Sequence, residues 1–411
     1  MMFKKLPSGY ILTEDVDFAT IELQIIKLTE SRDTLSGILS ITVYLPEKTS
    51  RLYLGKFNVL SSQTRSRLAS YVAKISPDTL DLSKEDWHAL IEKFSQKVIE
   101  AYYQPEMPEK IEPLEDVHVN FLLYPLLPEA HPVLMYAPGG SGKSLLAMYI
   151  SMFVQNGISW DGEYETKQGN VLYVDWEVDK REAQRRFGMI RKSFEADFPQ
   201  LDYPYYKRAL LNLKDEIDDI LLFVVKKNVT LVIIDSAGPA VGGELNNAEK
   251  VIEFFSNVRK ITSTGATCLI LTHVAKAEKN GDERSPLGSV YFENLSRLTW
   301  EVKYELLENK VMDFALIPRK SNFGKLPSVG LRAVFDFGGI YFTQVDAEAI
   351  TNGTIKDLIL GILVKNSEGM TARDLANVLG IKKDKIYVHL SKLKKQGKVD
   401  NTGDGRWLIV E

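Results

Sequence analysis

Val133-Leu134-Met135-Tyr136-Ala137-Pro138-Gly139-Gly140-Ser141-Gly142-Lys143-Ser144-Leu145-Leu146-Ala147-Met148-Tyr149-Ile150 decides the fold. Four apolar residues, Val133 to Tyr136, form a strand. Pro138 to Ser141 breaks it with a glycine-rich turn. The apolar run from Leu145 to Ile150 resumes as a helix. Glycines let the backbone of such a turn wrap closely, so that its N–H groups point inward at an anion. The N-terminus of the following helix adds partial positive charge at the same spot.

In this strand–turn–helix context the stretch fits the Walker A pattern, with Ala137 in place of the first glycine. The expected ligand is ATP with Mg²⁺. Pro138, Gly139, Gly140, Ser141 and Gly142 cradle the phosphates. Lys143 reaches the β- and γ-phosphates, and the Ser144 hydroxyl ligates Mg²⁺. A second apolar run, Val229 to Ile234, ends in Asp235. A carboxylate at the end of a buried strand near the P-loop is expected to be a Walker B aspartate, holding Mg²⁺ through water or the Ser144 hydroxyl.

The flanking sequence alternates apolar strands with helical stretches from about Glu115 to Asp346. The clearest strands are Val133–Tyr136, Asn170–Val174, Leu231–Ile234 and Thr267–Leu271. That alternation predicts an α/β domain with a mostly parallel sheet covered on both faces.

Residues 1–103 read as a small α+β domain of unassigned role. It has strands at Ala19–Leu28, Ile38–Leu45 and Leu52–Val59, and a helix opened by Ser83 with Asp86 as a variant capping box. Trp87, Leu90, Ile91, Phe94 and Val98 recur at helical spacing and mark that helix's core face. Pro105, Pro108 and Pro113 among glutamates mark residues 104–114 as a linker.

The whole-chain composition narrows the class. The chain has 411 residues, 45% hydrophobic and 26% charged, with a net charge of −4. That is the mix of an ordinary globular protein, and any nucleic-acid surface has to be a local patch. The single cysteine, Cys268, excludes an internal disulfide framework and a cysteine zinc site, and fits a reducing compartment. The N-terminus lacks the apolar run of a signal peptide, and no apolar stretch is long enough to cross a bilayer. The expectation is a cytoplasmic protein with no membrane association.

Residues 354–411 depart from the acidic balance. They hold 11 basic and 7 acidic residues, a net +4. Ile355, Leu358, Ile359, Ile362 and Leu363 form one apolar helix face. Thr371 with Asp374 opens a second helix, ending at Leu379-Gly380, and Asp384 starts a third, closing near Gly397. Val399 and Trp407–Val410 flank Gly403-Asp404-Gly405, a hairpin signal. Three helices and a hairpin resemble a winged helix-turn-helix. On the third helix Lys383, Lys385, Tyr387, His389 and Lys392 are the candidate contacts to duplex DNA; a protein-contact role is the alternative.

Taken together, Ala137–Ser144, Val171–Glu177, Leu231–Asp235 and Leu271-Thr272-His273 resemble the RecA/DnaB superfamily, and most closely the RepA-like hexameric helicase ATPases of plasmids and phages. Two further stretches fit the same branch. One is Ser285-Pro286-Leu287-Gly288-Ser289 leading to Ser296-Arg297. The other is Ile317-Pro318-Arg319-Lys320-Ser321-Asn322-Phe323-Gly324. The resemblance covers about the middle half of the chain.

The resemblance implies roles. In RecA-like ATPases a glutamate after the strand that follows the P-loop helix orients the attacking water. Glu177 stands there, with Asp175 and Asp179 as competitors; the plain alternative is that Glu177 caps the helix carrying Arg181, Arg185 and Arg186. His273 stands where relatives carry a γ-phosphate sensor; alternatively it only caps its strand. A ring, expected to be hexameric, implies a basic finger from the neighbouring subunit, for which Arg297, Arg319 and Lys320 are candidates; a surface salt bridge is the alternative for each. Pore loops implied at Ser236–Asn247 and Ala275–Val290, the second with Lys276, Lys279 and Arg284 among Glu278, Asp282 and Glu283, would meet single-stranded DNA.

Three functions stay open at this point. The first is an ATP-driven DNA helicase or translocase acting in replication of a mobile element or virus. The second is an ATP-switched DNA-binding or loading protein that does not unwind. The third is a regulatory ATPase without a nucleic-acid partner.

Overall fold

A computed structural model describes the chain except residues 7, 78, 105–107, 109, 114, 116–117, 160–165, 275–289, 308–309, 337, 348–349, 351–354, 367, 380–382 and 411. Two compact units result. One comprises Met1–His118 with Lys214–Val229, the other Val119–Leu213 with Thr230–Glu411.

The first unit opens with five strands, β1 (Met2–Leu6), β2 (Gly9–Val16), β3 (Ala19–Ser31), β4 (Thr34–Tyr44) and β5 (Thr49–Asn58). They pair in sequence order as an antiparallel meander. Along β3, Ala19, Ile21, Leu23 and Ile25 are buried while the residues between them are not, so one face meets the core. Helices α1 (Ser62–Ile75) and α2 (Lys84–Tyr103) pack against each other and contribute to that core. The Ser83–Asp86 capping box closes in both directions, and Trp87, Ile91, Phe94 and Val98 are buried. β1, β2 and α1 are elements the sequence reading did not name. Of the expected linker, residues 104, 108 and 110–113 are described and carry neither helix nor strand.

The second unit is built on a nine-stranded sheet. In chain order its elements start with a short pair, β6 (Phe121–Leu123) and β7 (Leu127–Pro128), and then β8 (Pro132–Ala137), α3 (Lys143–Asn156), β9 (Asn170–Asp175), α4 (Lys180–Arg191) and β10 (Tyr205–Arg208). α5 (Leu213–Lys226), which from Lys214 on belongs to the first unit, precedes β11 (Val229–Asp235) in the chain, and α6 (Ala237–Val241), α7 (Ala248–Thr262) and β12 (Thr267–His273) follow. After α8 (Tyr291–Leu295) come β13 (Leu298–Leu307), β14 (Val311–Ser321), β15 (Val329–Asp336) and β16 (Gly339–Val345). The spatial order is β10-β9-β11-β12-β8-β13-β14-β15-β16.

β8 is parallel to both neighbours, β12 and β13. From β13 onward the sheet turns antiparallel. The α/β sheet is mostly parallel, as expected, and β14–β16 extend it as an antiparallel meander. Val133, Met135 and Ala137 join the core cluster containing α3 and α4. Leu134 and Tyr136, which point the other way, are equally buried, and α7 contacts β8 and β12. Strand side chains alternate between faces, so burial at successive positions means that β8 is covered on both sides.

The C-terminal segment folds as α9 (Ile355–Lys365), α10 (Ala372–Leu379) and α11 (Lys383–Lys395), with a small antiparallel sheet of β17 (Met370–Thr371), β18 (Val399–Asn401) and β19 (Arg406–Ile409) in the order β17-β19-β18. Ile359, Leu375, Ile386, Leu390, Leu393 and Trp407 share its core. Among the described residues no helix is long and apolar enough to cross a membrane.

Phe94 is fully buried between the helices and the meander of the first unit. Phe94→Ala is expected to lower that unit's stability by about 3–5 kcal/mol, read from urea unfolding followed by circular dichroism.

Candidate functional site

The carboxyl ends of four parallel-sheet strands meet at one place, where open α/β sheets bind ligands. β8 delivers the glycine turn, β9 delivers Asp175 to Glu177, β11 delivers Asp235 and β12 delivers His273. β12 lies between β8 and β11, so the Walker B strand is not an immediate neighbour of the P-loop strand. Gly140 to Leu145, Glu177, Arg186, Asp235, Ser236, His273, Met312 and Phe335 line one cavity of about 360 Å³.

Gly142 caps α3 in the left-handed region at φ 82°, and a Cβ there would come within 2.9 Å of the Phe314 ring. Backbone conformation and close packing both demand glycine at this position. Lys143 follows as the first helical residue and is buried. Its Nζ donates to Ala137 O and Pro138 O, each at 2.9 Å, and lies 3.4 Å from His273 Nδ1. Burial pushes the ammonium pKa down, while Asp235 and Glu177 oppose that by favouring the charge. The Ser141 hydroxyl is buried with no hydrogen-bond partner among the described residues, inside a turn whose geometry suits phosphate oxygens.

Asp235 is 4% exposed. Burial raises its pKa to about 6, against hydrogen bonds from Tyr173 and Ser144 that favour the carboxylate. Tyr173 Oη donates to Asp235 Oδ2 at 2.5 Å. Ser144 and Asp235, hydrogen-bonded to each other beside the turn, form the donor set that would hold Mg²⁺. The Asp235–Ser236 peptide is cis.

Glu177 points at the same cavity. Ser236 Oγ donates to its Oε1 at 2.6 Å, and His273 Nε2 lies 3.9 Å from that oxygen. Burial and the Lys143 ammonium lower the His273 pKa, against the Glu177 carboxylate, and so favour the neutral ring. The competing carboxylates are occupied elsewhere. Asp175 is fully buried, and its Oδ1 accepts the Glu177 and Val178 N–H groups. Asp179 is the N-cap of α4, accepting from Glu182 N at 2.9 Å. Capping of that helix therefore falls to Asp179, and Glu177 is left to face the cavity.

The finger candidates stand at the other end of the sheet. Leu298 pairs with Val133, so Arg297 sits at the amino end of the P-loop strand. That is about 16 Å from Ala137 at roughly 3.3 Å per residue. Among the described residues the exposed Arg297 guanidinium makes no ion pair. Arg319 is tied to the buried Glu301 carboxylate at 2.6 Å. Lys320 Nζ donates to Glu293 O, Asn294 O and Ser296 O, closing the end of α8.

Of the expected pore loops, Ser236–Asn247 contains the short helix α6, while residues 275–289 with Lys276, Lys279 and Arg284 lie outside the described residues. On α11, Lys383, Tyr387 and Lys392 are exposed and His389 is half-buried; the Lys385 side chain lies outside the described residues.

Tyr173, Met312 and Phe335 belong to the site but escaped the sequence reading, and Ser236 and Arg186, read there as a pore-loop and a helix residue, line it too. A tyrosine inside the aliphatic run Val171–Val174 was a usable signal, because a buried hydroxyl needs a partner. Met312 and Phe335 arrive from the antiparallel extension, and no local pattern ties them to a phosphate loop.

Residues 108–279 match the family model of an AAA domain. That match supports a P-loop ATPase-type domain in this segment, and with it nucleotide binding and ATPase activity. No curated protein matches the chain.

Lys143→Ala should abolish tight ATP binding, since the phosphates lose their main cation; isothermal titration checks it. Protonating Asp235 removes the charge a divalent ion needs, and the proton wins below the pKa of about 6. Magnesium-dependent nucleotide affinity should therefore fall as pH drops from 7.5 to 5.5, and Asp235→Asn should remove that dependence.

Proposed function

We propose that the chain is a ring-forming, ATP-driven DNA helicase or translocase of the RepA-like kind, acting in replication of a mobile element or virus. The carrying observation is the division of the charges. Within one subunit the phosphate turn, Asp235, Glu177 and His273 converge on one cavity. The exposed Arg297 lies at the far end of β8, out of reach of its own cavity. An arginine placed so is available to a neighbour's nucleotide and not to its own, as a ring with shared sites would require.

Within that reading each residue has a defined task. Lys143 and the turn amides neutralise the β- and γ-phosphates, and Ser144 with Asp235 holds Mg²⁺, which supplies charge neutralisation at the phosphates. Glu177 accepts a hydrogen bond from the attacking water and aligns it. His273, between Lys143 and Glu177, senses the phosphate end of the nucleotide. Arg297 from the adjacent subunit stabilises charge developing in transfer. What favours Arg297 as the finger is that Arg319 and Lys320 already have structural partners; Arg186, which lines the cavity from α4, is the competing cation within the subunit. Single-stranded DNA would pass the loops after β11 and β12.

The basic C-terminal segment supports a second reading. With Lys383, Tyr387 and Lys392 exposed on α11, a winged helix there would engage duplex DNA. An ATP-switched loader that binds a duplex site without unwinding would use the same surface. Strand displacement that requires ATP selects the helicase; site-specific duplex binding with little turnover selects the loader.

Mixing two inactive proteins tests the shared site. Arg297→Ala should bind ATP but hydrolyse it slowly, and Lys143→Ala should not bind it. A mixed interface pairs an intact turn with an intact arginine, so ATPase activity should partly return. A finger contributes about 10³–10⁵ in rate where it operates, so even a small fraction of restored interfaces is visible. No recovery at any ratio, with subunit exchange confirmed by mass measurement, excludes Arg297 as the trans group.

A further inference from the structure

The backbone that presents Glu177 is pinned at every step. Trp176 N donates to Asp235 O at 2.7 Å, and Trp176 Nε1 donates to Leu211 O at 2.7 Å. Glu177 N and Val178 N both donate to Asp175 Oδ1, at 2.8 and 3.0 Å. Tyr206 Oη donates to Val178 O at 2.9 Å and lies 3.4 Å from Asp175 Oδ2. Tyr206 belongs to β10, the sheet's edge strand, where it pairs in register with Tyr173 of β9. The turn after β9 is thus held by a buried carboxylate from inside and a tyrosine hydroxyl from the next strand.

A fully buried carboxylate is a costly way to satisfy two amides, since an asparagine or serine meets turn N–H groups without a charge to desolvate. Its use here places a strong, charge-assisted acceptor on the amide of the residue that faces the nucleotide cavity. Neither Asp175 nor Tyr206 is among the residues that line that cavity. Both meet the turn on Glu177's own amide or on the residue after it.

We infer that Asp175 and Tyr206 are positioning residues for hydrolysis, locking the turn so that the Glu177 carboxylate stands in line for the attacking water. The inference rests on the assignment of water alignment to Glu177. Displacements of about 1 Å in such a group cost on the order of 100-fold in rate, so the effect belongs in kcat and not in nucleotide affinity.

The test compares steady-state ATPase and the Kd for a fluorescent ATP analogue in Asp175→Ala, Asp175→Asn, Tyr206→Phe and Glu177→Gln. Asp175→Ala should lower kcat by roughly 10- to 100-fold while KM and analogue Kd stay near wild type. Asp175→Asn keeps an amide oxygen for both N–H groups and should recover most of the rate. Tyr206→Phe should give a smaller loss in kcat alone. Placed on Glu177→Gln, neither change should slow single-turnover hydrolysis further, because each acts through Glu177. If Asp175→Ala does not fold, the isosteric Tyr206→Phe decides.

Near-normal turnover in Glu177→Gln overturns the underlying assignment. A dead Glu177→Gln beside unchanged kcat in Asp175→Ala and Tyr206→Phe overturns the positioning role alone. So does a rise in analogue Kd that matches the fall in kcat.

Discussion

The Lys143 ammonium sits at the amino end of α3, where the helix dipole already concentrates positive charge. It is buried as well, so two penalties fall on the same group. Both are offset locally. Ala137 O and Pro138 O accept from Nζ, and the Asp235 and Glu177 carboxylates favour the charged form. Much of the second unit can be understood as the means of bringing those groups together. The turn has to fold back far enough to offer its carbonyls, which calls for left-handed glycines at 140 and 142. The acidic strands have to end level with it, which the parallel register arranges.

Assembling the acids creates its own problem. Asp175, Glu177 and Asp235 stand at the ends of neighbouring strands, and Glu177 makes both aspartates harder to ionise, as Asp175 does Asp235. The sequence meets this with a different partner for each. Asp175 takes backbone amides, Asp235 takes the Tyr173 and Ser144 hydroxyls, and Glu177 takes Ser236. The outcome is graded by exposure. Asp175 and Asp235 are enclosed, whereas the Glu177 side chain is 42% exposed and open to the cavity. Of the three, the group left in contact with solvent is the one whose proposed task involves water.

The sequence was most informative where chemistry is local. A glycine turn between strand and helix, an apolar run ending in Asp235 and the Ser83–Asp86 cap all act within a few residues, and all are present. What could not be read is long-range. The pattern Leu298–Leu307 alternates well enough to be a strand, but nothing in it says that β13 lies beside β8. Nor does Arg319 announce a buried partner eighteen positions away on the facing strand, or Lys320 the carbonyls of α8. Their candidacy came from sequence neighbourhood, whereas their bonding is set by strand pairing. Asp179 shows the same limit at short range, since either of two nearby acids can start α4 and only the backbone path selects between them.

β8 has two parallel neighbours, and the second comes from beyond residue 290. Phe314, further on still, packs against Gly142, and Met312 and Phe335 close the cavity wall. The stretch recognisable as an AAA domain ends at 279. A fragment cut to that recognisable length would keep the phosphate turn, Glu177, Asp235 and His273 but expose one whole edge of its phosphate-binding strand. Its glycine turn would also lose the aromatic ring behind it. The boundary of what can be recognised therefore stops short of the strands that complete the site, and an ATPase fragment that keeps them has to run through β15.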